Sequence, residues 1–318
     1  MNKILLFGSS GVDPKFFNSR VLQLDKDDDY YFGNIMAKAA GIDNIQTFSI
    51  SGAGNEWISS AIISQLDKID KDTLVVVSWS LIDRVDLVLG NEQNHYQEEI
   101  ENRLPEQWKH LEFNRTFDSS GNHVSKGLRY WPTAHFFFPP KIKLKSFYSH
   151  VVQLKHYYEK VALVQNLLDR TGCKQIHWNV ADPMSHTFDK LIKDLIASAV
   201  PNELPIYKIV NFEKEFSNIE SEYPDIIKWK QLIDSSKFGE DLFTFYKRNS
   251  IPYACVDKLS SFHQPPINYY LYIVSLMKQF NIPVKNDLLA EMKKATKEHC
   301  LKYKTIYSWD DNLIGSAI

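Results

Sequence analysis

The chain opens on an apolar run that stops abruptly: Lys3-Ile4-Leu5-Leu6-Phe7 leads directly into Gly8-Ser9-Ser10. A short run that is apolar without alternation reads as a strand covered on both faces, the kind found inside a parallel sheet. Glycine permits a sharp exit and leaves hydroxyls at the strand's carboxyl end, the edge at which open parallel sheets bind ligands. A plainer reading makes Gly8 to Gly11 a strand-to-helix turn with capping serines.

The segments that follow repeat the pattern. Tyr30 to Ala40 carries apolar residues at helical spacing until Gly41, and Asp27-Asp28-Asp29 ahead of it suit the positive end of a helix. Read as a calcium loop, those aspartates lack the glycine and the distal glutamate such a loop needs. Ile45 to Ile50 predicts a second strand, followed by Ser51-Gly52-Ala53-Gly54-Asn55 and a helix through Trp57, Ile58, Ile62, Ile63 and Leu66. Thr73 to Trp79, with three consecutive valines, predicts a third strand. Strands alternating with helices imply right-handed crossovers, hence an α/β fold of three α/β/α layers around a mainly parallel, roughly five-stranded sheet.

Periodicity weakens from about Asp86 to Lys145, a stretch containing Tyr130-Trp131 and Phe136-Phe137-Phe138-Pro139-Pro140. A long irregular segment inside a domain is usually functional or interface-forming, so residues 86–145 are expected to cover a cleft or to self-associate. The phenylalanine run suits insertion core or an oligomer surface better than a substrate platform. Regular order returns with a helix from Ser146 to Arg170, a strand from Lys174 to Asn179, and a helix from Phe188 to Ala199. A short strand at Pro205–Val210, an amphipathic segment at Phe238–Arg248 and a core helix at Ile267–Phe280 after Pro265-Pro266 complete the pattern. The division expected is one α/β domain over residues 1–285, with the insertion at about 86–145, and a C-terminal helical extension and tail over 286–318 that offers a second assembly surface.

Charge sets limits on partners. Lys plus Arg number 37 against 39 Asp plus Glu, so no global field attracts nucleic acid or an anionic membrane. No stretch approaches the roughly 18 apolar residues of a membrane helix, and the few apolar residues before Gly8 are too short for a secretory leader. Cys173, Cys255 and Cys300 are odd in number and widely spaced, as free thiols in a reducing compartment are. A cytoplasmic protein is expected. His150 and His156, six apart, miss the spacing of a helical metal pair, and His177 on a predicted strand suits a hydrogen-bonded core position. No metal or organic cofactor is implied.

Four points lie in a suggestive order: Gly8-Ser9-Ser10 after the first strand, Ser51-Gly52-Ala53-Gly54-Asn55 after the second, Ser78-Trp79-Ser80 ending the third, and Phe262-His263-Gln264-Pro265 before the last core helix. Over Lys3–Arg84 and Ser146–Phe280 this layout resembles the SGNH/GDSL hydrolase superfamily, with a flavodoxin-like sheet. The resemblance implies that Ser10 is the nucleophile and His263 its base. It gives the oxyanion role to the Gly52 N–H and to Ser80, which stands where the family carries asparagine, and it puts Asn55, of a Gly-x-x-Asn pattern, beside the substrate. Arg84, five residues beyond Trp79, is either a cation for a substrate carboxylate or phosphate or one half of a surface ion pair.

The departures are specific. Ser9 replaces the aspartate of the first block, and Ser260 and Ser261 stand where the histidine's orienting acid belongs, with Asp257 six residues before His263. An acid that fixes the imidazole tautomer is worth on the order of 10⁴ in turnover and one oxyanion donor roughly 10² to 10³. Two functions follow. One is a divergent serine esterase acting on a small-molecule or carbohydrate ester, such as an O-acyl sugar. The other is an SGNH-like scaffold whose site has decayed, a structural or binding protein of phage or virion type.

Overall fold

The computed structural model describes residues 1–12, 30–50, 52–82, 84–90, 116–134, 150–180, 182–183, 218–249, 251 and 265–303. In chain order these form β1 (Lys3–Gly8), a 3-10 turn (Ser10–Val12), α1 (Phe32–Ala40), β2 (Asn44–Ser49), α2 (Asn55–Ser64), β3 (Thr73–Trp79), β4 (Arg84–Leu89), β5 (Arg129–Ala134), α3 (His150–Asp169), β6 (Lys174–Asn179), α4 (Ile219–Glu222), α5 (Pro224–Gln231), α6 (Leu242–Arg248), α7 (Pro266–Gln279) and α8 (Leu289–Tyr303).

β1 sits inside the sheet because its side chains are apolar on both faces. Ile4 and Leu6 enter one core with α1, α6 and α7, while Leu5 and Phe7 enter the other with α2 and α3. β3 is buried along its whole length, as the valine run predicts. The order is β2-β1-β3-β6, all parallel, with Leu5 beside Gln46 and Val75, and Val77 beside His177. Among the described residues the result is a mainly parallel four-stranded sheet between helical layers, the α/β/α architecture expected from the alternation. The helix and strand expected at 188–199 and 205–210 lie outside the described residues.

Helix direction fixes which edge carries the site. Past α7, Lys285 N–H donates to Ala39 O (2.8 Å) and Asn286 Nδ2 to Lys38 O (2.7 Å), so the ends of α7 and α1 lie together. Lys174, the first residue of β6, donates to Asn281 O at 3.4 Å. α7 therefore finishes at the amino edge of the sheet and starts at the carboxyl edge, where β1 and β3 end. α8 packs on α7: Met292 is fully buried and Thr296 Oγ1 accepts the Ile267 N–H at 3.1 Å.

Two local differences from the sequence reading stand out. α1 begins after Tyr31, whose side chain makes no capping bond, and Asp27–Asp29 lie outside the described residues. The stretch that opens the expected insertion is regular: β4 and β5 pair antiparallel, with Arg84 opposite Ala134 and Leu89 opposite Arg129. Pro132 interrupts the strand signal of β5, yet opposite Asp86 it takes its place in the pair.

Candidate active site

β1 ends at Gly8 because space there is absent. A Cβ on Gly8 would lie 2.5 Å from Val12 Cγ2 and 2.9 Å from Ser78 Cβ, so the 3-10 turn folds directly back over the strand. Ser9 is 1% exposed, and its carbonyl accepts the Val12 N–H at 3.0 Å. Over the ends of β1, β3 and β6 lies a small cleft, open to solvent, lined by Ser9, Gly11, Ser80, Leu81, Arg84, Trp178, Val180 and Leu242.

The loop after β2 meets the same edge. Gly52 takes a left-handed backbone (φ 84), a conformation that favours glycine, and Ala53 N–H closes the turn on Ile50 O at 3.1 Å. Asn55 then opens α2 and turns its amide on the residue that follows β3: Nδ2 donates to Ser80 O (3.1 Å) and Oδ1 accepts the Ser80 N–H (2.8 Å). The resemblance puts Asn55 beside the substrate. In the structure it is 8% exposed with both amide atoms committed to Ser80, so it acts at one remove, by holding that residue.

Ser80 is 5% exposed, and its Oγ is buried with no hydrogen-bond partner. Ser78 Oγ and Trp178 Nε1 are also buried and unpartnered, and these two residues face each other in the β3–β6 register. Leaving such a group unpaired costs about 1–3 kcal/mol. Unpaired buried donors in native proteins call for an explanation, and three of them lie within this one sheet edge.

Behind the loop stands Asp86 of β4, which sequence reading takes only as the start of an irregular stretch. Its Oδ1 accepts the Gly54 N–H and its Oδ2 the Trp57 N–H, each at 2.7 Å. Gly54 is the N-cap of α2 and has no side chain with which to cap it, so Asp86 supplies that function from across the chain. Burial pushes the Asp86 carboxyl up to about 7, against the pull of its two N–H donors.

The structure thus brings Ser9, Gly11, Ser80 and Arg84 together in one cleft, with Gly52 and Asn55 on the neighbouring loop at the same edge. Ser10 opens the 3-10 turn between two lining residues; its side chain lies outside the described residues, as do Asp257, Ser260, Ser261 and His263. His177 is the core residue expected: fully buried, it accepts the Trp79 indole N–H at Nδ1 and makes a 3.0 Å bond from Nε2 to Gln175 Oε1. Burial lowers its pKa to about 3, so the ring stays neutral. Among the described residues no group of three His, Cys, Asp or Glu is placed to hold a metal, and no helix is long and apolar enough to cross a membrane. Comparison of the chain with protein-family models and with curated proteins finds no match.

Proposed function

We propose that this cleft is the acyl-transfer site of a divergent serine esterase of SGNH/GDSL type. The observation that carries the reading is Ser80: a residue of the cleft lining whose hydroxyl lies buried and unpartnered just behind the surface, with its backbone clamped by Asn55. A donor kept unpaired at rest and rigidly held suits a charge that appears only during reaction. The start of α7 at the carboxyl edge supports His263 as base, since the three peptide steps from His263 to Pro266 span at most about 11 Å.

In this mechanism His263 takes the proton of Ser10 as its Oγ attacks the ester carbonyl. The Gly52 N–H and Ser80 hydroxyl receive the oxyanion, and Arg84 holds an anionic or polar group of the substrate. Collapse expels the alcohol with the proton from His263, and water then attacks the acyl-enzyme by the same route in reverse. With serines at positions 260 and 261 nothing there carries charge to stabilise the imidazolium, so turnover is slow. An O-acylated carbohydrate suits this chemistry, and the cytosol suits the free thiol of Cys173.

The rates of an activated acetate ester with the natural chain, Ser10→Ala, Ser260→Asp and Ser261→Asp test the proposal. The expected result is weak hydrolysis that Ser10→Ala abolishes and one aspartate variant raises. Activity indifferent to Ser10→Ala overturns the nucleophile, and silence in all four folded chains favours the scaffold reading, with the virion as its setting.

A further inference from the structure

We infer that Asp86 is the positioning residue of this site, fixing the loop of Gly52 and, through Asn55, the backbone of Ser80. The inference deepens the esterase reading and rests on it for its catalytic consequence. Three contacts carry it. Both oxygens of the buried Asp86 carboxyl group hold the first turn of α2, at the Gly54 and Trp57 N–H groups. Between those two residues stands Asn55, whose amide binds both backbone polar groups of Ser80. β4 itself is pressed on the loop: a Cβ on Gly54 would lie 2.6 Å from Arg84 O and 3.0 Å from Asp86 Oδ2, so only glycine permits this approach.

The chain of contacts has a direction. β4 follows β3 by a short connection, so Asp86 lies only six residues beyond Ser80 along the chain. Asp86 orients α2 at Gly54 and Trp57, α2 orients Asn55, and Asn55 returns to Ser80, closing a ring through these five residues. Glu56 and Arg84 are the charged groups that act on Asp86. Donors of an oxyanion must be held before the charge appears, and a misplacement near 1 Å costs about 10²-fold in rate. The ring supplies that rigidity to two donors that come from different strands.

The test uses the full chain, Asp86→Asn, which leaves one of the two carboxylate acceptors, and Asn55→Ala, which leaves Asp86 intact. Hydrogen exchange read by mass spectrometry and the saturation kinetics of a fluorophosphonate probe are measured on each. Asp86→Asn is expected to speed exchange about tenfold or more in peptides covering both 52–57 and 79–82, with β1 peptides unchanged. Asn55→Ala is expected to loosen 79–82 while Gly54 and Trp57 keep their protection. In both, the maximal labelling rate should fall about 10- to 100-fold with little change in half-saturating probe. Protection at 79–82 that survives Asp86→Asn in a folded chain overturns the inference, and if Asp86→Asn fails to fold, Asp86→Glu, which keeps the carboxyl but displaces it, is read in its place. A natural chain that never labels while exchange responds as described removes the esterase reading and leaves the positioning of Ser80 by Asp86 standing.

Discussion

Trp79 donates its indole N–H to Nδ1 of His177 at 3.0 Å across the β3–β6 seam, with the two rings stacked at a centroid distance of 6.0 Å. That bond requires a neutral imidazole with its proton on Nε2. Protonation would leave two N–H groups facing each other in a site without water access. The folded pKa near 3 lies below the ordinary 6.5, so the stability His177 contributes is full above pH 6.5 and is lost as pH falls towards 3. By about pH 5 the loss should reach about 2 kcal/mol. Denaturant titrations of the natural chain and His177→Gln over this range check it, and the variant should show the shallower decline.

Asp86 has the opposite sign. Its carboxyl is raised from 3.8 to about 7, so its contribution is full below pH 3.8 and declines as pH rises through 7. Asp86→Asn, which cannot titrate, should be less stable than the natural chain near pH 4, and the gap should narrow by a few kcal/mol by about pH 8. Melting curves at a series of pH values measure the gap directly. A gap independent of pH would show that the carboxyl does not change charge in this interval.

Gly54→Ala should destabilise by about 1–3 kcal/mol, because the added methyl meets the Arg84 backbone oxygen, which cannot rotate away. Gly11→Ala is the control, since a Cβ at Gly11 has no neighbour within 4 Å. Equal stabilities for the two variants by denaturant titration would contradict the close approach of β4 to the loop.

Met292→Ala should cost about 2–5 kcal/mol, the range for truncating a buried methionine, since Met292 on α8 is fully buried with α7 and α1. Circular dichroism melts decide this. A neutral result would mean that α8 does not dock on the core.

Legibility in the sequence followed the locality of each signal. Thr73–Trp79 and Lys174–Asn179 are strands to the residue because their β-branched and aromatic content needs no partner to be read. Arg84–Leu89 escaped because its partner strand lies about forty residues on and carries Pro132, which reads as a break. The order of motifs along the chain pointed to Gly52 and Ser80, and Arg84 was singled out by its place five residues beyond Trp79; of these, Ser80 and Arg84 line the cleft. The role of Asp86 was not legible, because it depends on N–H groups roughly thirty residues earlier, and neither spacing nor composition signals a cap supplied from another strand. Asn55 was recognised as part of a motif, but its target was not, since the bond to Ser80 exists only once α2 is docked against the end of β3.

The most direct test of the central claim is fluorophosphonate labelling of the full-length chain, with the modified residue identified by peptide mass spectrometry. One adduct is expected, on Ser10, absent from Ser10→Ala and slowed by His263→Ala. An unlabelled chain under conditions that label a known serine esterase, or an adduct on a serine outside the cleft, would contradict it.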